Sequence, residues 1–149
     1  MMSLGCSSAP PLMPRATSTR TAIPGPTARF FRSRIQLVSR ILTPLPGGDL
    51  LDVGCGPGMM VREILDSRPD AFHITALDRS AAMVEACARR MKDAGNAQAL
   101  VGRIESLPFQ EHYFDVILAM GVLEYVDATV ALTELARVAR PGAWWSSPC

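Results

Sequence analysis

The stretch Leu50-Leu51-Asp52-Val53-Gly54-Cys55-Gly56-Pro57-Gly58 restricts the fold more than any other part of this 149-residue chain. Leu50, Leu51 and Val53 read as a short buried strand. The glycines at 54, 56 and 58 allow positive φ and let a ligand approach the backbone. Met59 to Leu65 continues as a helix, whose first N–H groups lack internal partners and carry a partial positive charge. A strand that breaks into a glycine turn and enters a helix is a nucleotide-binding geometry.

The spacing narrows the choice of nucleotide. A dinucleotide fingerprint needs a small residue at position 59, where helix and strand pack closely. This chain has Met59, and its third glycine comes one residue early. Asp52-x-Gly54-x-Gly56-x-Gly58 resembles motif I of the class I S-adenosylmethionine (SAM)-dependent methyltransferases, in particular small-molecule enzymes of the ubiquinone/menaquinone-methyltransferase-like group. The resemblance implies that Asp52, Gly54, Cys55, Gly56 and Gly58 lie at the SAM site.

Further segments extend the likeness. His73 to Leu77 reads as a second strand closed by Asp78, a carboxylate placed to accept two hydrogen bonds from a ribose diol. Ser80 is a good N-cap for a helix that runs to Gly95, with Met83, Val84, Cys87 and Met91 as its expected buried face. Asp78-Arg79-Ser80 through Met83 resembles the family's second motif, which implies nucleoside contacts for Arg79 and Met83. Gln98 to Val101 is the expected third strand. Gly102 to Phe109 resembles the family's adenine loop, with Arg103 where an acid is usual. Arg only donates, so the resemblance leaves the Ile104 backbone and Glu105 to read the base. Phe114 to Ala119 is the expected fourth strand, and by resemblance Met120 and Gly121 face the methionine part of SAM. Asp115 sits at the strand start, where a structural role is expected. Tyr125, in a segment that resembles the family's, is a candidate to approach substrate.

The alternation of strands and helices specifies an α/β fold, a Rossmann-like doubly wound and mainly parallel sheet with helices on both faces. A ligand belongs in the crevice where strand order reverses. Residues 1–28, rich in Pro, Ser, Thr and Ala, read as a disordered N-terminal extension, and 29–149 as the SAM-binding domain. Within that domain Phe31, Ile35, Val38 and Leu42, widened by Leu37 and Ile41, form the apolar face of a first helix. After a helix capped by Asp127 and ended by Arg140-Pro141-Gly142, a fifth strand is expected only as a stub. The sheet would then lack the last strands of the seven-stranded family fold and leave the fourth strand and both tryptophans exposed.

A net charge of +1 gives no general case for nucleic acid, and no apolar run reaches the roughly 20 residues of a membrane span. The four cysteines have no metal spacing and read as reduced thiols of a cytoplasmic protein. The expected activity is transfer of the SAM methyl group to a small-molecule acceptor, with no catalytic residue assignable and no metal. Two other readings stay open: a truncated, non-catalytic homologue or partner subunit that binds SAM, and a nicotinamide-dinucleotide dehydrogenase.

Overall fold

Residues 26–146 are described in this computed structural model. Strands β1 (Gly48–Val53), β2 (Phe72–Asp78), β3 (Ala97–Val101), β4 (Phe114–Leu118) and β5 (Ala139–Ser146) form one sheet. Their order is β3-β2-β1-β4-β5, with every neighbouring pair parallel. Helices α1 (Pro26–Leu42), α2 (Met59–Ser67), α3 (Ala81–Arg90) and α4 (Ala128–Val138) connect or flank them, and Leu123–Tyr125 forms one 3₁₀ turn. The chain turns from β2 and β3 on one side of β1 to β4 and β5 on the other. A crevice therefore opens at the carboxyl end of β1.

Adjacent residues of β1 point to opposite faces, and Leu50 and Leu51 are both fully buried. On one face Leu50, Ile74 and Val116 pack with Ile35, Val38 and Leu42 of α1, Val61 and Ile64 of α2, and Cys87 of α3. On the other, Leu51, Val53, Leu77 and Ile117 pack with Ala131, Leu135 and Val138 of α4 and with Ile104 and Leu107. Covering both faces is what allows a parallel sheet with near-continuous apolar strands. Asp127 caps α4 by accepting from Thr129 N and Val130 N, and Ser80 caps α3 by accepting from Met83 N.

Several boundaries differ from the sequence reading. α1 begins at Pro26, inside the segment expected to be disordered; proline suits the first helical turn because its missing N–H would have no partner there. The rest of the expected extension, 1–25, lies outside the described residues. Leu37 is 58% exposed, so it does not widen the buried stripe. α3 stops at Arg90 rather than Gly95, and Met83 is exposed while Cys87 and Met91 fill the core.

The largest correction is at β5, which is eight residues long rather than a stub. Arg140-Pro141-Gly142 lies within it and does not end α4. The pairing with β4 is irregular between Phe114 and Val116, then regular from Val116↔Trp144 to Leu118↔Ser146. β4 is therefore flanked on both sides, and Trp144 packs against the core while Trp145 stays exposed. Arg140 ties the amino ends of the strands together, donating to Asp115 at 2.6 Å and Asp49 at 3.3 Å.

Candidate nucleoside site

The site begins where β1 ends. The N–H groups of Gly54 and Cys55 both donate to the Leu77 carbonyl, at 2.7 and 3.1 Å, and fasten the turn to β2. Gly58, with φ +81°, is the N-cap of α2, and no side chain caps that helix. A Cβ on Gly58 would lie 2.6 Å from Cys87 Sγ and 3.0 Å from its Cα, so only glycine fits between turn and α3. At Gly56 a Cβ would meet open space, which makes this the side of the turn a ligand can approach.

Asp78 joins the turn from β2. One carboxylate oxygen accepts the Gly56 N–H at 3.0 Å, and the other accepts the Ser80 N–H at 2.8 Å. A cavity of about 160 Å³ opens beside them. Of the residues named from sequence, Gly54, Asp78, Arg79, Ile104, Glu105 and Gly121 line it, as do Arg103 and Tyr125. Asp52, Cys55, Gly56, Gly58, Met83 and Met120 are not in its wall. Asp52 and Cys55 are buried, Gly58 is pressed against Cys87, and Met83 stands on the exposed face of α3.

Val53, Leu77, Gly102, Val122 and Val126 also line the cavity, and none of them is among the cofactor contacts expected from sequence. Val122 and Val126 flank the 3₁₀ turn after β4, and Val126 closes the Leu123–Val126 segment that resembles the family's. A second hollow of about 320 Å³ lies between α4 and β5, near Leu135 and Trp145, and holds none of the residues expected at the SAM site.

The loop that carries Ile104 and Glu105 is clamped from α4. Glu134 accepts the Leu107 N–H at 2.8 Å, while Arg137 donates to the carbonyls of Phe109 and Leu107 at 2.7 and 3.0 Å. The Arg137 guanidinium, and after it the Leu107 amide, hold the Glu134 carboxyl at about 2. An i,i+3 pair of this kind reads from sequence as a solvated helix face, so the clamp was missed.

The electrostatics at the carboxyl end of β1 are unusual. Asp52 is 3% exposed, and its Oδ2 has no hydrogen-bond partner. Burial, and then the nearby Asp78 carboxylate, push its pKa up to about 7. Beneath the turn the Cys55 thiol is driven up, first by its hydrogen bond with Cys87 and then by burial; the same bond lowers Cys87. At the rim Glu105 is lowered, first by its own backbone amide and then by Arg103 at 3.4 Å. Among the described residues no group of three His, Cys, Asp or Glu side chains is placed to hold a metal ion.

The site thus combines a carboxylate that accepts two backbone amides, a glycine backbone with open space beside it and a buried carboxylate oxygen with no hydrogen-bond partner. Known proteins share this frame. Residues 51–146 match the family model described as a methyltransferase domain. The ubiquinone/menaquinone biosynthesis C-methyltransferase UbiE of Geotalea daltonii is 36% identical over 101 residues, covering 65% of this chain and 43% of its own length. The malonyl-[acyl-carrier protein] O-methyltransferase of Erwinia billingiae is 40% identical over 98 residues, covering 64% of this chain and 36% of its own. The chain spans less than half the length of either relative. The crystal structure of geranyl diphosphate C-methyltransferase from Streptomyces coelicolor A3(2), with Mg²⁺, geranyl diphosphate and S-adenosyl-L-homocysteine, matches the fold. Its TM-score is 0.68 at 20% identity, over 78% of this chain and 45% of that one. The chain belongs to the methyltransferase domain family, the class I SAM-dependent group that Leu50–Gly58 resembles.

Proposed function

We propose that this chain binds SAM at the carboxyl ends of β1, β2 and β4, and that it transfers the methyl group to a small-molecule acceptor. The observation that carries the reading is the shared cavity of Gly54 and Asp78, with the orphaned Asp52 Oδ2 behind it. The residues suit the cofactor's chemistry. Asp78 has lone pairs for a ribose diol beyond the two amides it already serves, and charge-assisted hydrogen bonds of this kind contribute about 1.5–3 kcal/mol each. Asp52 offers a buried negative charge to a cationic ammonium group. Ile104 and Glu105 present a backbone amide and a carboxylate acceptor to the base, while Arg103 occupies Glu105 from outside.

The bound cofactor supplies an already activated methyl group on a sulfonium. What remains for the protein is to align donor and acceptor and to exclude water. Val53, Leu77, Val122 and Val126 give the cavity apolar walls suited to that task. Tyr125, 69% exposed and in the cavity lining, is the side chain we assign to the acceptor. The relatives named for quinone, acyl-carrier-protein and prenyl diphosphate substrates support a small-molecule or carrier-borne acceptor rather than nucleic acid. No helix among the described residues is long and apolar enough to cross a membrane. Cys55 and Cys87 are free thiols, in keeping with a reducing compartment such as the cytoplasm.

Titration calorimetry with SAM, S-adenosylhomocysteine and NAD, each alone, tests the reading. Binding of the first two and not the third is expected, with an upward shift in melting temperature on adding S-adenosylhomocysteine. Binding of NAD alone would overturn it.

A further inference from the structure

Charge is segregated along this chain. Six arginines, and no acid, precede Asp49. The other nine basic residues share 49–149 with all fourteen acids, so a segment of +6 is joined to one of −5. Four of the six, Arg29, Arg32, Arg34 and Arg40, stand on α1. The buried stripe of that helix is Ile35, Val38 and Leu42, which face the core. On the opposite side Arg29, Arg32, Gln36 and Arg40, at i, i+3, i+7 and i+11, form one exposed ridge. Beside the ridge Leu37 is 58% exposed, with Arg34 and Arg40 three residues away on either side, and Phe31 is 38% exposed. No α1 residue lines the nucleoside cavity.

Such a ridge is unfavourable in water alone. α1 contains no acidic side chain, so no i,i+4 ion pair within it relieves the arginines, and Arg29 and Arg32, at i,i+3, repel each other. Arg29 also stands in the first turn, at the positive end of the helix dipole, where a cation is disfavoured. Among the described residues Arg29, Arg32 and Arg40 take part in no ion pair or side-chain hydrogen bond. An anionic surface supplies what they lack, since phosphate oxygens match the guanidinium fork. Leu37 selects the kind of surface. A nucleic acid offers little to an aliphatic side chain, which has no ring to stack on a base. The boundary between lipid headgroups and acyl chains takes both, cations among the phosphates and leucine below them.

We propose that the outer face of α1 is a docking surface for an anionic lipid membrane. The helix lies along the bilayer, with Arg29, Arg32 and Arg40 among the phosphates and Leu37 at the boundary with the acyl chains. The segment of −5 is repelled by the same surface, so the molecule meets it α1 first. Attachment is reversible and weakened by salt, because it rests on a few charges and a small apolar anchor. It goes beyond methyl transfer and does not depend on it.

The test is sedimentation of the full 149-residue chain with vesicles of phosphatidylcholine, alone or mixed with phosphatidylglycerol. The chain should sediment with the mixed vesicles, be released by salt, and ignore phosphatidylcholine alone. Arg29→Gln/Arg32→Gln/Arg40→Gln should lower partitioning by about a hundredfold, and Leu37→Gln by about tenfold. All four side chains are exposed, so melting temperature and affinity for S-adenosylhomocysteine should stay as in the wild type. Leu37→Gln decides alone if the triple variant does not fold. No sedimentation with the mixed vesicles, or equal sedimentation with neutral ones, would overturn the proposal. Partitioning unchanged in either variant would overturn it too. Displacement from the vesicles by single-stranded RNA, together with an inert Leu37→Gln, would reassign the ridge to nucleic acid.

Discussion

The two ends of the central strands carry the same kind of side chain in opposite circumstances. At the amino ends, Asp49 and Asp115 share Arg140, and Asp115 also accepts the Asp49 N–H at 2.9 Å. Burial alone would raise Asp115, but Arg140 and that amide outweigh it and leave the carboxyl lowered. At the carboxyl ends, neither Asp52 nor Asp78 takes part in any ion pair found among the described residues. Asp52 is instead raised to about 7. Acids matched by a cation are holding the sheet together. Acids left without a cation at the other end remain available to a positively charged group.

The contrast has opposite signatures in pH. For Asp52 the unfolded value, 3.8, lies below the folded value of about 7, so between them the folded state holds a proton that the unfolded state has lost. Its contribution to stability is full below the unfolded value and disappears as pH rises through about 7. A difference of this size is worth on the order of 4 kcal/mol. Asp52→Asn should flatten that decline in denaturant melts between the two values, and this is the largest effect expected. An unchanged slope would place the ionisation elsewhere. A cationic ligand would favour the ionised form, so affinity for SAM should rise as pH climbs toward about 7 in the wild type and not in Asp52→Asn.

Next in size is Asp78→Ala, which should weaken SAM by about 1.5–3 kcal/mol, tenfold or more. Calorimetry that found equal affinity would remove Asp78 from the site. Gly56→Val should act similarly on binding. A Cβ there meets no protein atom within 4 Å, so the cost to the fold is chiefly the left-handed backbone penalty of about 1–2 kcal/mol. The smallest effect belongs to the paired end. Arg140→Met breaks ion pairs whose partners are 25–41% exposed, so melting should show a loss of at most about 1 kcal/mol, with SAM affinity untouched. For Asp115 the sign is opposite to that of Asp52. Its lowered folded value gives stability that is present above the unfolded value and lost as pH falls, and Asp115→Asn should blunt that acid limb.

What was legible in the sequence was what the chain specifies locally. The strand, turn and helix around Gly54 to Gly58, the Asp78 strand end and the Ser80 and Asp127 caps each follow from a few consecutive residues. Met83 was misplaced because a short helix presents several apolar residues, and only packing decides which phase faces the sheet. Pro141-Gly142 looked like a helix stop, yet in a strand with one neighbour a missing N–H costs little. The Glu134–Arg137 clamp and the close approach of Gly58 to Cys87 were illegible for a different reason. Each joins elements that only the parallel crossovers bring together, and no spacing rule encodes that.

The clamp from α4 also changes how the Leu107 amide should behave in heavy water. Loop amides ordinarily trade their protons quickly, since nothing but solvent holds them. This one is bound to a carboxylate that is itself locked by a guanidinium. It should therefore exchange only when α4 swings off the sheet, so one slow loop proton would report on the mobility of a whole layer of the molecule.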